Sequence, residues 1–121
     1  DLHYPLRRQR QMCIRDRSSI TESNAEKQTI EFLSKYVPKG VAPLCGNTIC
    51  QDRRFLARCM PQLESFCHYR SIDVTSIREL GKRWYFEDID NFQKKSNHRA
   101  LDDIRDSIEE LQYYRRTIFK L

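Results

Sequence analysis

Apolar residues recur along this chain at two periods, and the switches between them mark out its elements. Ser19-Ile20-Thr21-Glu22 has the form of a capping box, and Ile30, Leu33 and Val37 follow at helical spacing. Pro38 and Gly40 stop that helix. Residues 41–46 are a short apolar run that reads as a buried strand, with Pro43 placing its first half near a sheet edge. Residues 51–60 predict a second helix with Phe55, Leu56, Cys59 and Met60 on its buried side. Pro61 suits the opening of a short third helix carrying Leu63 and Phe66. Residues 69–74 alternate Tyr69, Ser71 and Asp73 with Arg70, Ile72 and Val74, the period of a strand. Thr75 or Asp73 can cap the next helix, whose stripe is Ile77, Leu80 and Trp84. Residues 85–97 read as loop with a turn of helix. Residues 98–119 predict the longest helix, with Leu101, Ile104, Ile108 and Leu111 facing the core.

Strands alternating with helices predict an α/β layer fold. Only two strands are convincing, and a two-stranded sheet under four or five helices leaves a bare edge. The pattern reads as the C-terminal part of a larger sheet. Residues 1–17 hold no sustained period, are rich in arginine and contain Pro5. They read as a non-native or disordered basic tail and are set aside from the fold.

The length of 121 residues suits one modest domain with a single core. No apolar run approaches the ~20 residues of a membrane span, and no apolar stretch follows the basic N-terminus as a secretory signal would require. The net charge of +5 is concentrated in residues 1–17, where five arginines face two aspartates. The remainder carries only +2, enough for a short anionic ligand but not for the broad footprint of a long duplex. Cysteines stand at 13, 45, 50, 59 and 67, an odd number with no Cys-x-x-Cys pair. That predicts reduced, partly buried thiols in a cytoplasmic protein rather than a disulfide framework or a zinc knuckle.

Chemistry is suggested at two places. Asp52 follows the Leu44-Cys45-Gly46 run on the first turn of a helix, and Asp103 opens the longest helix. Two hard oxygen donors from different elements suit Mg²⁺ or Mn²⁺ rather than zinc. His98, five residues before Asp103, is placed to take a proton from metal-bound water. The plainer account of Asp52, Asp102 and Asp103 is helix-dipole compensation, and of His98 a cap or surface residue. His68, between Cys67 and Tyr69, reads as packing. Arg53, Arg54, Arg70, Arg78 and Lys82 could meet phosphates, although charge runs are usually solvated faces. Tyr69-Arg70 sets an aromatic plane beside a fork of donors, so a base can stack on one while a phosphate pairs with the other.

Four segments, in order, carry a resemblance. Thr29-Ile30-Glu31-Phe32-Leu33, Leu44-Cys45-Gly46-Asn47-Thr48-Ile49-Cys50-Gln51-Asp52-Arg53-Arg54-Phe55-Leu56, Phe66-Cys67-His68-Tyr69-Arg70-Ser71-Ile72-Asp73-Val74 and His98-Arg99-Ala100-Leu101-Asp102-Asp103-Ile104 resemble the bacterial oligoribonuclease family. That family is a branch of the DEDDh exonucleases with a ribonuclease-H-like fold. The similarity runs from about residue 18 to residue 121. It implies a 3′→5′ exoribonuclease that cuts very short oligoribonucleotides, dinucleotides above all, to mononucleotides. It also implies a homodimer that uses two divalent ions, Mg²⁺ or Mn²⁺. Asp52 and Asp103 would supply two of the four acidic metal ligands, and His98 would be the general base. Thr48, Arg70 and Thr75 fall where the family grips the 5′-phosphate, and Tyr69 where one subunit reaches into its partner's site.

The chain departs from the family at three points. Thr48 and Thr75 stand where serine is usual, but both keep the hydroxyl. No Asp-x-Glu occurs before Ser18, so the strand with the other two carboxylates is not found, and the chain is expected to be inactive by itself. Two rival readings are a DEDDh exonuclease acting on DNA and a non-catalytic RNA-binding or dimerisation module with a basic arm. Tyr69-Arg70 and the two threonines argue against the first, and the missing acids favour the second.

Overall fold

The computed structural model describes residues 19–85, 89, 92 and 99–120. His98 and the tail of residues 1–17 lie outside the described residues. Helix α1 (Glu22–Ser34) begins two residues later than the capping box predicts. Thr21 is the cap, its Oγ1 accepting the amide of Asn24 at 3.1 Å. Because the residue after that turn is Asn24 and not glutamate, Glu22 sits in the first turn without closing a box. The helix stops before Val37, and Gly40 supplies the positive φ, 78°, of the turn that follows.

The chain continues through β1 (Pro43–Gly46), α2 (Ile49–Cys59), α3 (Pro61–Phe66), β2 (His68–Asp73), α4 (Val74–Trp84) and α5 (Ala100–Thr117). Strands β1 and β2 are parallel neighbours, joined by the helical crossover that a parallel pair requires. Pro43 pairs with His68, yet Leu44 pairs with Ser71, so Tyr69 and Arg70 are two extra residues in β2. Among the described residues the sheet has these two strands, and the mixed α/β class predicted from the alternation holds. Among the described residues no helix is long and apolar enough to cross a membrane.

One buried apolar cluster and two buried side chains of α3 hold the elements. Val74, Ile89 and Tyr114 are buried together, with Ile77, Leu111 and Ile118 packed against them. A Cβ at Gly81 would overlap the side chain of Ile89, so glycine is what lets α4 approach this closely. Leu63 and Phe66 of α3 are buried as predicted. Pro61 opens α3 and Met60 offers no side-chain cap, so the exposed amides of its first turn need another partner. Buried Glu26 of α1 provides it, Oε2 accepting from Gln62 N at 2.9 Å and Leu63 N at 3.1 Å.

The helical periods read from the sequence are right, but three stripes face differently. In α2 the buried residue is Ile49, and Phe55 is exposed. In α4 the inner face is Val74, Ile77 and Gly81, because Val74 begins the helix instead of ending the strand. Leu80 and Trp84 are exposed. Helix α5 is the sharpest case. Leu101, Ile104 and Ile108 are more than half exposed, whereas Asp106, Glu110 and Tyr114 are buried. The helix turns its hydrogen-bonding side toward the loop after β1 and leaves its aliphatic stripe open.

Candidate active-site cleft

An open cleft of about 880 Å³ runs between the end of β1 and α5. Its wall includes Gly46, Asp52, Asp103, Asp106 and the side chains of Ile104 and Ile108. Asp52 stands in the first turn of α2 and Asp103 in the first turn of α5, where the helix dipole favours a carboxylate. Two acids 51 positions apart thus face one space. Partial loss of water raises the pKa of Asp52 above its usual 3.8, against the opposing pull of its own backbone N–H.

Asp106 was not singled out from the sequence. It is only 6% exposed, lines the same cleft, and its Oδ2 has no hydrogen-bond partner among the described residues. A buried carboxylate oxygen in that state is costly unless a donor or cation reaches it. Among the described residues no group of three or more His, Cys, Asp or Glu side chains is arranged to hold a metal ion. The donor chemistry of Asp52 and Asp103, hard carboxylate oxygen, fits a divalent cation such as Mg²⁺ or Mn²⁺.

Beside the cleft lies a bonded network that sequence reasoning also missed. Thr48 caps α2 in the left-handed region, φ 49° and ψ 45°, which a β-branched residue rarely adopts and which costs roughly 1–3 kcal/mol. Its N–H donates to Thr75 Oγ1 at 2.9 Å, and the two hydroxyls are 3.1 Å apart. The Thr75 hydroxyl gives its single proton to Asn47 Oδ1 at 3.2 Å, so Thr48 Oγ1 is the donor between the two threonines. Asn47 Nδ2 in turn donates to Ser107 Oγ at 2.8 Å and to Glu110 Oε1 at 3.3 Å. Ser107 Oγ donates to the carbonyl of Asp103 at 3.0 Å, and Tyr114 OH to Glu110 Oε2 at 2.6 Å. Burial, then the Glu110 carboxylate, pushes the Tyr114 phenol well up, so it remains a donor. The one sequence signal for Asn47 is its place between Gly46 and Thr48, where a side chain that bonds neighbouring backbone favours a turn.

Thr48 and Thr75 therefore meet at the converging N-terminal ends of α2 and α4. Asp73, the other candidate named for the α4 cap, is the residue that caps it, accepting from Thr75 N at 3.1 Å and Ser76 Oγ at 2.9 Å. Two such helix ends present positive dipole to one spot. Thr48, Thr75, Tyr69 and Arg70 do not line the cleft; Asn47 ties the first two to it. Tyr69 and Arg70 project from β2, with Tyr69 stacked on His68 at 4.5 Å and the Arg70 guanidinium 5.1 Å from the centre of the Tyr69 ring. Of the other cations, Arg53 is consumed by internal contacts instead of facing solvent. Cys45, Cys50, Cys59 and Cys67 are unbridged.

A family model described as Exonuclease matches residues 7–111. The oligoribonuclease of Vibrio parahaemolyticus is 60% identical over 104 residues, covering 86% of this chain and 58% of that protein. The oligoribonuclease of Nitrosomonas eutropha is 54% identical over the same span, and that of Halorhodospira halophila 55%, covering 86% of this chain and 57% of the relative. The chain thus spans less than three-fifths of the length of these relatives. With the model matched along most of its residues, on a mixed α/β framework with a parallel sheet, the chain belongs to the exonuclease family, whose domain has the ribonuclease-H-like fold.

Proposed function

We propose that this chain is the C-terminal part of a 3′→5′ exoribonuclease that converts short oligoribonucleotides, dinucleotides above all, to mononucleotides. The observation that carries the reading is the single cleft lined by both Asp52 and Asp103. Relatives named oligoribonuclease, at 54–60% identity, support the substrate class. Asp52 and Asp103 would hold Mg²⁺ or Mn²⁺, which when bound supplies charge stabilisation at the scissile phosphate and the leaving 3′-oxygen. His98 accepts the proton of the attacking water. Thr48, Thr75 and Arg70 grip the 5′-phosphate of the substrate. The Thr48 hydroxyl proton is the one able to turn toward it, because the Thr48 N–H still holds Thr75. Tyr69, 73% exposed, reaches into the site of a second copy in a homodimer, and the enzyme works in the cytoplasm.

Two carboxylates are half of the four that the two-ion reaction uses, and no Asp-x-Glu occurs in this sequence. The chain alone is therefore inactive. Incubation with a diribonucleotide and Mn²⁺, followed by chromatography of the products, tests this. No mononucleotide above the metal blank is expected. Robust turnover that disappears in His98→Ala would overturn the inactivity while upholding the assignment of His98. Tight, salt-sensitive RNA binding without any metal dependence would instead favour a non-catalytic RNA-binding module.

A further inference from the structure

Arg53 follows the cleft aspartate Asp52 in α2, yet its side chain is spent entirely on strand β2 and α3. The side chain is only 16% exposed, and all three guanidinium nitrogens are engaged. Nε donates to Glu64 Oε1 at 3.2 Å, Nη1 to Ser71 Oγ at 2.9 Å, and Nη2 to the carbonyl of His68 at 2.7 Å. Nη1 also stands 3.5 Å from the carbonyl of Arg70. These acceptors bracket the two residues that β2 inserts between its pairs with Pro43 and Leu44. The insertion explains the need for them. The two inserted residues interrupt the ladder, so the strand carbonyls there draw on a donor from outside it. The bulge is closed from the other side by the Arg70 N–H, which donates to His68 Nδ1 at 3.0 Å. With the backbone held at 68 and 70 and the Ser71 hydroxyl engaged, the side chains of Tyr69 and Arg70 leave the sheet together as a stacked column on His68.

We infer that Arg53 is a positioning residue: its guanidinium fixes the two-residue bulge that presents Tyr69 and Arg70. The functional half of this statement rests on the proposed grip of Arg70 on the substrate 5′-phosphate. One helix then carries a cleft carboxylate and the strut of the phosphate grip on adjacent residues, so the offset between reaction centre and grip is set by α2. Lysine cannot replace it, having one head group where a planar fork with donors in three directions is used.

The test uses the whole chain and two readouts. Amide hydrogen exchange by NMR reports the bulge without any ligand. Titration with 5′-phosphorylated diadenylate and with its 5′-hydroxyl counterpart reports the grip. In Arg53→Gln, exchange at the Arg70 amide is expected to rise at least about tenfold, the equivalent of losing a charge-assisted hydrogen bond, while amides of α1 keep their rates. The preference for the 5′-phosphate falls to the level of Arg70→Ala, the double variant loses nothing more, and Arg53→Lys does not restore it. Ser71→Ala, which deletes one acceptor and leaves the packing intact, gives an intermediate exchange rate. Unchanged Arg70 exchange in Arg53→Gln and Ser71→Ala overturns the inference whatever the ligand data. A retained phosphate preference in Arg53→Gln beside a lost one in Arg70→Ala overturns it and leaves the grip standing. A wild-type preference undiminished in Arg70→Ala sinks the grip itself.

Discussion

Around Asn47, side chains from the β1–α2 turn, α4 and α5 satisfy one another, and a strained Thr48 is held in place by Thr75. Across the cleft the reverse holds: Asp106 keeps a buried oxygen without a partner among the described residues, and Ile104 and Ile108 are open to solvent. Both regions belong to the same helix, α5, and to the same proposed site. The side proposed to grip phosphate is assembled from the β1–α2 turn, α4 and α5. On the acidic side Asp52 and Asp103 line an open cleft beside an exposed aliphatic stripe. A binding subsite can be finished locally, because hydroxyls, amides and helix ends need only each other. A multi-ion centre cannot, because each carboxylate adds repulsion until enough donors and cations are gathered.

The largest expected effect comes from breaking the finished side. Asn47→Ala removes the donor to Ser107 and Glu110 and the acceptor of Thr75 in one step. Leaving such partly buried groups short of partners costs about 1–3 kcal/mol, read as a lower urea midpoint with an unchanged slope. Thr48 is then free to relax out of its left-handed conformation, which chemical shifts of its Cα and Cβ would report. A loss below about 0.5 kcal/mol, the size of an ordinary surface change, would mean that Asn47 does not organise this side.

This contrast also explains what the sequence could and could not disclose. The positions of α2, α3, β2 and α4 were legible because Pro61, the alternation of residues 69–74 and the cap at Asp73 are local signals. Asp52 and Asp103 were legible as helix-start acids, and the structure adds that they share a cleft. The buried face of α5 was not. Its aliphatic stripe is real, but a stripe states which residues share a face, not whether anything covers it. Asp106, Ser107 and Glu110 lie outside the aliphatic stripe read from the sequence, and tertiary partners 60 or more positions away turn Ser107 and Glu110 inward. The bulge in β2 was equally hidden, since Tyr69 and Arg70 preserve the alternation of a plain strand.

A smaller effect of opposite sign is expected on the unfinished side. Burial raises the pKa of Asp52, so folding disfavours its ionised form. The stability associated with the protonated carboxyl is present below its unfolded value near 3.8 and is lost as pH rises through the higher folded value. At pH 7 in metal-free buffer Asp52→Asn should therefore melt above the wild type, and the difference should close by pH 3. A variant that melts lower at pH 7 would show that the attraction of the α2 dipole outweighs the loss of water.

Ile104→Ser with Ile108→Ser is expected to change stability least. Hydrophobic burial contributes roughly 25 cal/mol per Å² of area removed from water, and these side chains, 56% and 53% exposed, have lost little of theirs. The pair sits on α5 beside Leu111, which packs against the Val74, Ile89 and Tyr114 cluster, so each substitution changes the open stripe without touching that core. A urea midpoint within the equivalent of about 0.5 kcal/mol of wild type is expected, together with a lower tendency to self-associate in sedimentation runs. A loss above about 1.5 kcal/mol would mean that the stripe is covered in solution. If that loss grew with protein concentration, a second copy would be the cover. The acidic side would then be finished by association, and only the Asn47 side by the fold of one chain.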